Sequence, residues 1–389
     1  VSALHALLED ACRAGHPPAA QACVIHEGRV VHESAHGASP DGVPTSATSV
    51  FDVASVTKVA ATTLSIAVLI ARGELALDAP VARWLPAFGA NGKGEVTLRA
   101  VLGHRSGLPA WAPLFQAVIY DARTSAIFAR REVSEDVWAI ARGLVLAQVH
   151  AAPLETPHRR VYSDLGFLAL GALVEEVTGT SLDGFARAHV FAPLGLDLAF
   201  VDRRATTSPF EGRHVLPTGR TRPREPAPGQ CYVQLAQPLL FDPGHVDDDN
   251  AFAMGGVAGH AGLFGTASAL ARLGWALVEE LEGAERLGIG EVLRTFATID
   301  PAEGAARGLG FDMPAALGSS VGDRFGKRGP RGAIGHLGFT GCSLWIDLDR
   351  ALVAVLLTNR TVPGRTYVEP IRALRRAFHD AACDAIEGG

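Results

Sequence analysis

The sequence predicts an α/β (α+β) fold in which an antiparallel sheet, flanked by N- and C-terminal helices, is interrupted by a large, mostly helical insert. Three observations predict it. Two short β-rich runs around a Gly-containing turn follow an amphipathic first helix. A second pair of such runs precedes an amphipathic last helix. The chain between them carries helical rather than strand periodicity.

The first helix covers the amphipathic start Val1-Ser2-Ala3-Leu4-His5-Ala6-Leu7-Leu8-Glu9-Asp10. Ala22–His26 and Arg29–Glu33, joined by Glu27-Gly28, read as a hairpin. Near the other end Cys342–Asp347 and Leu352–Leu357 flank the turn Leu348-Asp349-Arg350. A last helix follows over Val368–Ala385, so both ends are expected to share one sheet. Between them, helical patterns recur at Val137–Gln148, Leu165–Val177, Leu182–Val190 and Ala267–Leu281. Loops rich in Pro and Gly separate these helices. The longest, Thr206–Gln230, carries Arg220, Arg222 and Arg224 among prolines and is expected to be a surface excursion or lid. At 389 residues the chain exceeds one domain of roughly 100–200 residues. The expected division is a sheet domain from residues 1–75 plus 300–389, and a helical insert from 76–299.

Composition excludes several classes. Hydrophobic residues make up 48% and charged residues 20%, which argues against disorder. A net charge of −6 with no basic cluster argues against a nucleic-acid or polybasic membrane partner. No apolar run reaches the ~18 residues of a membrane span. The five cysteines are odd in number, widely spaced and without C-x-x-C, so neither a disulfide framework nor a zinc site is expected. The thiols point to a reducing, cytoplasmic setting. The chain starts at Val1 rather than Met, and a leader removed before it would make the location periplasmic or secreted. No metal or cofactor is called for, and the expected partner is a small-molecule substrate, with the oligomeric state left open.

Chemistry starts at a lysine. The chain has three, and Lys58 stands at the head of the apolar helix Val59–Ala71, closed by Gly73. Such a helix is buried on most faces, so Lys58 needs a reason to be there. Ser55, three residues earlier, shares its helix face. It also lies at the helix start, where free N–H groups favour negative charge. A partly desolvated lysine is expected to have a lowered pKa and to act as a base on the serine hydroxyl. A capping serine beside a snorkelling lysine is the plain alternative.

Two further segments strengthen the catalytic reading. Tyr162-Ser163-Asp164 precedes the helix Leu165–Val177. A tyrosine there can relay a proton if a cation lowers its pKa, while Asp164 alone reads as an N-cap. Gly335-His336-Leu337-Gly338-Phe339-Thr340-Gly341 runs into the strand Cys342–Asp347. Glycines at a strand edge let a ligand approach the backbone, and one N–H there can pair with that of Ser55 as an oxyanion hole.

The ordered set Ser55-Val56-Thr57-Lys58, Tyr162-Ser163-Asp164 and His336-Leu337-Gly338 resembles the S-x-x-K, Y-x-[ND] and [KHW]-x-G motifs of the serine β-lactamase and penicillin-binding-protein superfamily. It is most similar to the class C β-lactamase-like branch, which includes D-alanyl-D-alanine carboxypeptidases, D-aminopeptidases and esterases. Phe51–Ser55, Leu102–Pro109, Tyr162–Gly179, Pro193–Leu196, Gly259–Phe264 and Leu357–Arg360 extend the resemblance through nearly the whole chain. It implies a β-lactamase/transpeptidase-like fold. It further implies Ser55 as nucleophile, Lys58 as its activating neighbour and Tyr162 as acid–base partner. The N–H groups of Ser55 and Phe339 would form the oxyanion hole, with Asp164, His336 and Gly338 lining the substrate site.

Three departures shape the functional expectation. Asp164 stands where Asn commonly holds substrate amides. His336 replaces a permanent cation with a group mostly neutral above about 6.5. Leu337 replaces a hydroxyl. All three weaken recognition of an anionic substrate. The expected activity is therefore a serine hydrolase acting through an acyl-enzyme on small esters or amides. A true class C β-lactamase or D-alanyl-D-alanine carboxypeptidase is the alternative, and a non-catalytic penicillin-recognising protein is a second, which would be expected to lack the lysine or the tyrosine. Protonation of His336, or an arginine from Arg220, Arg222 or Arg224 folding over the site, would restore carboxylate binding, and cephalosporin turnover would then rise towards pH 6.

Other signals read as structural. Gly318-Ser319-Ser320-Val321-Gly322 matches the G-x-S-x-G nucleophile elbow but lacks a strand before it and a helix after it, so a turn is expected. His245–Asn250 lacks the glycine and distal Glu of a calcium loop and is expected to be a solvated acidic loop. His260, among glycines, reads equally as a pocket residue or a structural one.

Overall fold

The first hairpin closes on two residues, Glu27 and Gly28, whose φ angles of 47° and 78° are both left-handed. Two such residues in succession match the twist of adjoining strands, and Gly takes the conformation without a Cβ penalty. The computed structural model describes residues 3–129, 133–155, 159–219, 221–232, 239–240, 244–298, 307–315, 319–366 and 368–387. Helix α1 (Ala3–Arg13) leads into β1 (Ala19–His26) and β2 (Arg29–Gly37). The short β3 (Phe51–Asp52) follows. At the far end β8 (Ala333–Leu337), β9 (Ser343–Asp347) and β10 (Leu352–Thr358) precede α11 (Glu369–Glu387).

These segments build one antiparallel sheet in the order β2-β1-β10-β9-β8, so the two chain ends meet in its centre. Cys23 lies opposite Val355, and His336 on the edge strand β8 lies opposite Leu344. Side chains alternate between two cores, as the two-residue period of a strand requires. Ala20, Ala22 and Val24 of β1, with Leu352, Ala354 and Leu356 of β10, face α1 and α11. Ala19, Cys23 and Ile25, with Val353, Val355 and Leu357, face the larger core.

The middle of the chain is mainly helical. A π-helical stretch, Lys58–Thr63, runs into α2 (Leu64–Ala71), and α3 (Leu98–Leu102), α4 (Phe115–Tyr120), α5 (Glu135–Ala151), α6 (Asp164–Thr178) and α7 (Leu182–Ala186) follow. Then come α8 (Asp249–Ala253), α9 (Ala267–Leu281) and α10 (Gly290–Phe296). The helix α9 packs on β1, β9 and β10, so a helix from within residues 76–299 covers one face of the sheet. Two small sheets complete the architecture. One is β3-β7-β4, with β4 (Leu198–Phe200) and β7 (Leu263–Gly265); the other pairs β5 (Thr221–Arg222) with β6 (Leu239–Leu240). No single helix among the described residues is long and apolar enough to cross a membrane.

Several sequence expectations need correction. The Leu182–Val190 helix is two pieces, because the backbone passes from α7 into a π-helical turn, Arg187–Phe191. The glycine-rich run at 335–341 begins inside a strand, β8, whose outer position on the sheet tolerates Gly335. The 206–230 segment is no surface excursion over its arginines. Arg222 and Arg224 are buried, and Val215 pairs with Val50 in a parallel bridge. Nor is 245–250 a solvated loop: Asp247, Asp249 and Asn250 are buried. Each correction explains the other, because the arginines of one segment neutralise the carboxylates of the other. Arg222 bonds Asp249 Oδ1 at 2.7 Å, Arg224 pairs with Asp247 at 3.1 Å, and Arg365 pairs with Asp247 at 2.9 Å. Buried charges persist only when paired in this way. Around the G-x-S-x-G match, Gly318 lies outside the described residues, and Val321–Gly326 form turns rather than a helix.

Candidate active site

The nucleophile candidate sits on a constrained corner. Strand β3 ends at Asp52, whose carboxylate accepts the Ala54 N–H at 2.8 Å. Ala54 has φ 49°, a strained value for a residue with a Cβ, and such strain persists only where the surroundings enforce it. Ser55 follows, and the helix begins at Val56. From Lys58 to Thr63 that helix is π-helical, a widened form found often at functional sites.

Lys58 is fully buried. Its Nζ lies 3.0 Å from Ser55 Oγ, 2.8 Å from Asp164 Oδ1 and 3.2 Å from the His260 carbonyl oxygen. It also faces the Tyr162 ring, 4.8 Å from the centroid. Lys58 and Ser55 both favour the ionised form of the Tyr162 hydroxyl. The structure thus brings Ser55, Lys58, Tyr162 and Asp164 into one cluster, and the sequence-expected pKa shifts are corrected there. Burial pulls Lys58 down, but Asp164 and Tyr162 outweigh it, and the lysine is held above its ordinary value as a cation. Tyr162 is also raised: burial dominates, Lys58 opposes it, and Asp164 adds to it. At rest the cluster holds an ammonium and a neutral phenol.

The loop before α6 places Tyr162. Ser163, not Asp164, caps the helix, its Oγ accepting the Gly166 N–H at 3.2 Å. Asp164 is thereby free to face Lys58. The Ser163 N–H donates to His104 Nδ1 at 3.0 Å, and the His104 ring packs 4.7 Å from that of Tyr162. His104 is a positioning residue that sequence reasoning did not single out, although its segment was noted. His260 is resolved in favour of structure: it is buried, hydrogen-bonds Asp248 at 2.9 Å and presents only its carbonyl to Lys58. Asp164, Asp248 and His260 lie close enough to hold a metal ion, but Lys58 already places a cation against this group.

The third segment closes the site. His336 on β8 is buried, and its Nδ1 lies 2.7 Å from the Leu337 carbonyl oxygen. A carbonyl only accepts, so Nδ1 carries the proton and Nε2 presents a lone pair. That Nε2 has no hydrogen-bond partner among the described residues and stands 3.8 Å from Asp312 Oδ1. Burial, with the charges of Lys58 and Arg307, holds His336 well below its ordinary pKa, so it is neutral well below pH 6.5 too. Gly338 abuts the nucleophile corner: a Cβ there would lie 2.5 Å from the Val53 carbonyl oxygen. Phe339 is partly exposed, with the Arg360 guanidinium 4.4 Å from its ring centroid.

Ser55, Tyr162, His336, Gly338 and Phe339 line an open cleft of about 1240 Å³. Arg307 and Asp312 line it as well, ion-paired to each other, with Arg307 5.0 Å from the Tyr162 ring centroid. No motif marked either residue. Of the three arginines that would restore carboxylate binding by folding over the site, Arg222 and Arg224 are instead held by buried aspartates, and Arg220 lies outside the described residues.

The chain is similar to known proteins over most of its length. A family model described as Beta-lactamase matches residues 4–377. A putative D-alanyl-D-alanine carboxypeptidase of Escherichia coli (strain K12) is 28% identical over 366 residues, which cover 88% of this chain and 78% of that protein. Esterase EstB of Burkholderia gladioli is 30% identical over 392 residues, covering 93% of this chain and 91% of that protein. Among solved structures, D-amino acid amidase from Ochrobactrum anthropi SV3 shares the fold with a TM-score of 0.68 at 19% identity, over 99% of this chain and 98% of that one. With the family model spanning almost the whole sequence, the chain belongs to the Beta-lactamase family and is a hydrolase of the β-lactamase-like superfamily.

Proposed function

We propose that the chain is a serine hydrolase that attacks small, uncharged esters or amides with Ser55 and carries the acyl group as a covalent serine ester. The observation that carries this reading is the 3.0 Å approach of Lys58 Nζ to Ser55 Oγ, with the Tyr162 ring centroid 4.8 Å from the same nitrogen, at the wall of an open cleft. Ser55 Oγ adds to the substrate carbonyl carbon while its proton passes to the Lys58–Tyr162 pair. The negative charge that develops on the carbonyl oxygen faces the N–H groups of Ser55 and Phe339. Among the described residues, neither N–H donates to backbone. The proton then goes to the leaving group as its bond to the acyl carbon breaks. Water repeats the sequence and releases the acid. Because the resting pair is a cation and a phenol, the base arises only when the cluster loses a proton.

The third segment supports an uncharged substrate. A carboxylate placed at His336 meets the Nε2 lone pair, the Asp312 carboxylate and the apolar Leu337. A buried carboxylate without a donor is costly, whereas an uncharged ester needs only the nucleophile and two N–H groups. The likeness to an esterase supports the same reading. The rival, a β-lactamase or D-alanyl-D-alanine carboxypeptidase, draws support from Arg307 and Arg372 in the cleft. Of the arginines that line the cleft, Arg307 is paired with Asp312, Arg372 with Glu369 and Arg376 with Asp323, while Arg360 and Arg375 are buried and held by backbone carbonyl oxygens.

The test compares rates on a short p-nitrophenyl ester, a chromogenic cephalosporin and a D-Ala-D-Ala peptide. The ester should be turned over fastest, and a fluorophosphonate should leave one adduct per chain. Labelling that persists in Ser55→Ala moves the nucleophile elsewhere; faster cephalosporin hydrolysis at neutral pH installs the β-lactamase reading.

A further inference from the structure

The peptide that carries the Phe339 N–H is held from behind by a buried guanidinium. In a trans peptide the C=O of one residue and the N–H of the next point in opposite directions within one rigid plane. The N–H of Phe339 therefore shares its plane with the C=O of Gly338, and whatever grips that oxygen aims that hydrogen. Arg375, on α11, donates from Nη2 to the Gly338 oxygen at 2.5 Å. The same nitrogen reaches the Cys342 oxygen at 2.7 Å, and Nε reaches the Gly341 oxygen at 3.1 Å. Arg360 Nε holds the Phe339 oxygen at 2.7 Å, and Thr358 Oγ1 holds the Thr340 oxygen at 2.8 Å. All five carbonyls from Gly338 to Cys342 are thus turned into the protein, three of them onto Arg375.

Arg375 is 6% exposed, yet its hydrogen bonds among the described residues end on carbonyl oxygens and none on a carboxylate. Burying a cation without a paired anion is expensive, and simple anchoring of α11 does not require it. A planar fork can fix three carbonyls at once, which a lysine cannot do with the same geometry. A charge at the oxygen end of a peptide also polarises it, making its N–H a stronger donor. The opposite wall is built alike: the Ala54 carbonyl, which shares its plane with the Ser55 N–H, accepts from Thr57 Oγ1 at 2.6 Å.

We propose that Arg375 is a positioning residue for the reaction: it acts through the Gly338–Phe339 peptide to aim and polarise the N–H that stabilises the tetrahedral intermediate. The proposal rests on the Ser55 reading given above. It is tested in the full chain with Arg375→Met and Arg375→Lys, with Ser55→Ala as a separate control. Three quantities are measured: acylation by a p-nitrophenyl ester with kcat and KM resolved, affinity for an alkylboronic acid whose tetrahedral adduct places an oxygen in the hole, and the fraction of titratable sites.

Arg375→Met should lower the acylation rate about 10- to 10²-fold, somewhat less than outright loss of an oxyanion donor, with KM little changed. Boronate affinity should fall by the same factor, and Arg375→Lys should lie between. If acylation and boronate affinity stay within about twofold of the parent, the proposal is overturned. It is also overturned if only the fraction of active sites falls while the remaining sites react at the parent rate, because that marks a mere anchor. Should Arg375→Met fail to fold, Arg375→Lys carries the same readouts. If Ser55→Ala retains turnover and boronate binding, the nucleophile assignment fails, whatever Arg375 does.

Discussion

Lys58 Nζ lies 2.8 Å from Asp164 Oδ1 and 3.0 Å from Ser55 Oγ, so one buried ammonium answers a carboxylate and the nucleophile together. The carboxylate decides the resting state. Without it, burial alone would push Lys58 towards the neutral amine. With it, Lys58 and Tyr162 both sit above their ordinary values. The proposed base must be made by removing a proton from this pair. The expected kcat/KM profile therefore climbs through the alkaline side of neutrality, in a buffer-matched series on a short ester. A plateau already reached at pH 6 sinks this account.

Asp164→Asn tests the same relationship from the other side. Removing the anion removes the principal influence that raises Lys58, so the lysine pKa falls. The rising limb of the profile should move to lower pH, while the rate at its plateau changes less than about tenfold. A variant that loses activity by a constant factor at every pH would show that Asp164 acts on the substrate instead.

Tyr162→Phe keeps the ring that packs against His104 and removes only the hydroxyl. Folding should survive. The rate should drop by about 10²–10⁴, the usual size of acid–base catalysis, and a similar loss is expected from Lys58→Met. Full activity in Tyr162→Phe ends the assignment of the tyrosine.

Tyr162 and Asp164 were legible as site residues only through the resemblance of the ordered motif set. Ser55 and Lys58 were legible from local spacing, because three residues put them on one helix face. The two terminal strand pairs were legible for the same reason, as short apolar runs around turns. What escaped was set by distant partners. The lysine's protonation depends on Asp164, more than a hundred residues away. The burial of 245–250 depends on arginines at 222, 224 and 365, which a local reading counts as surface residues. The strand β8 was hidden because an edge strand with Gly335 and His336 lacks the alternation that marks a half-buried one.

Asp247 is the hub of that buried network. Its carboxylate pairs with Arg224 and Arg365, its carbonyl accepts from Arg222 and Arg365, and its N–H donates to Asp52. Asp247→Asn leaves two buried guanidinium groups short of an anion. Breaking a buried pair from one side costs about 3–5 kcal/mol, and denaturant unfolding should show a loss of that order. A change below about 0.5 kcal/mol, the level of an ordinary surface substitution, contradicts the network's role.

Acid should weaken the fold through its neutral histidines. His379, buried beside Ser343 and two phenylalanines, is pushed down to about 3 by burial and by Arg375. Unfolded, it titrates near 6.5. A depressed folded value means the unfolded chain binds more protons in this window. The stability it supplies is therefore complete above about 6.5 and is lost as pH falls towards about 3. Denaturant midpoints should fall between pH 7 and pH 4, and His379→Gln should flatten that slope. An unchanged slope in the variant would falsify the assignment.

His336 decides the last prediction, because the pH behaviour expected from its residue type is reversed by its surroundings. A histidine standing in for a cation would bind a substrate carboxylate once protonated, and cephalosporin turnover would grow towards pH 6. Here the ring is buried, and burial, Lys58, Arg307 and Arg375 outweigh the hydrogen bond to the Leu337 carbonyl, which favours the charge, with Asp312 no nearer than 3.8 Å. Its Nδ1 proton is committed to Leu337, so the cleft meets a lone pair at Nε2. The ratio of cephalosporin to ester turnover should therefore stay low and flat between pH 7.5 and pH 6, apart from changes both substrates share. His336→Lys would place a donor and a charge where the lone pair was. A hydrogen bond to a charged group contributes about 1.5–3 kcal/mol, so the cephalosporin-to-ester ratio should rise about tenfold or more, even if repulsion from Lys58 lowers both rates. A ratio that already climbs in the parent protein as pH falls would mean that His336 does take up a proton, and that an anionic substrate is the one this cleft was shaped for.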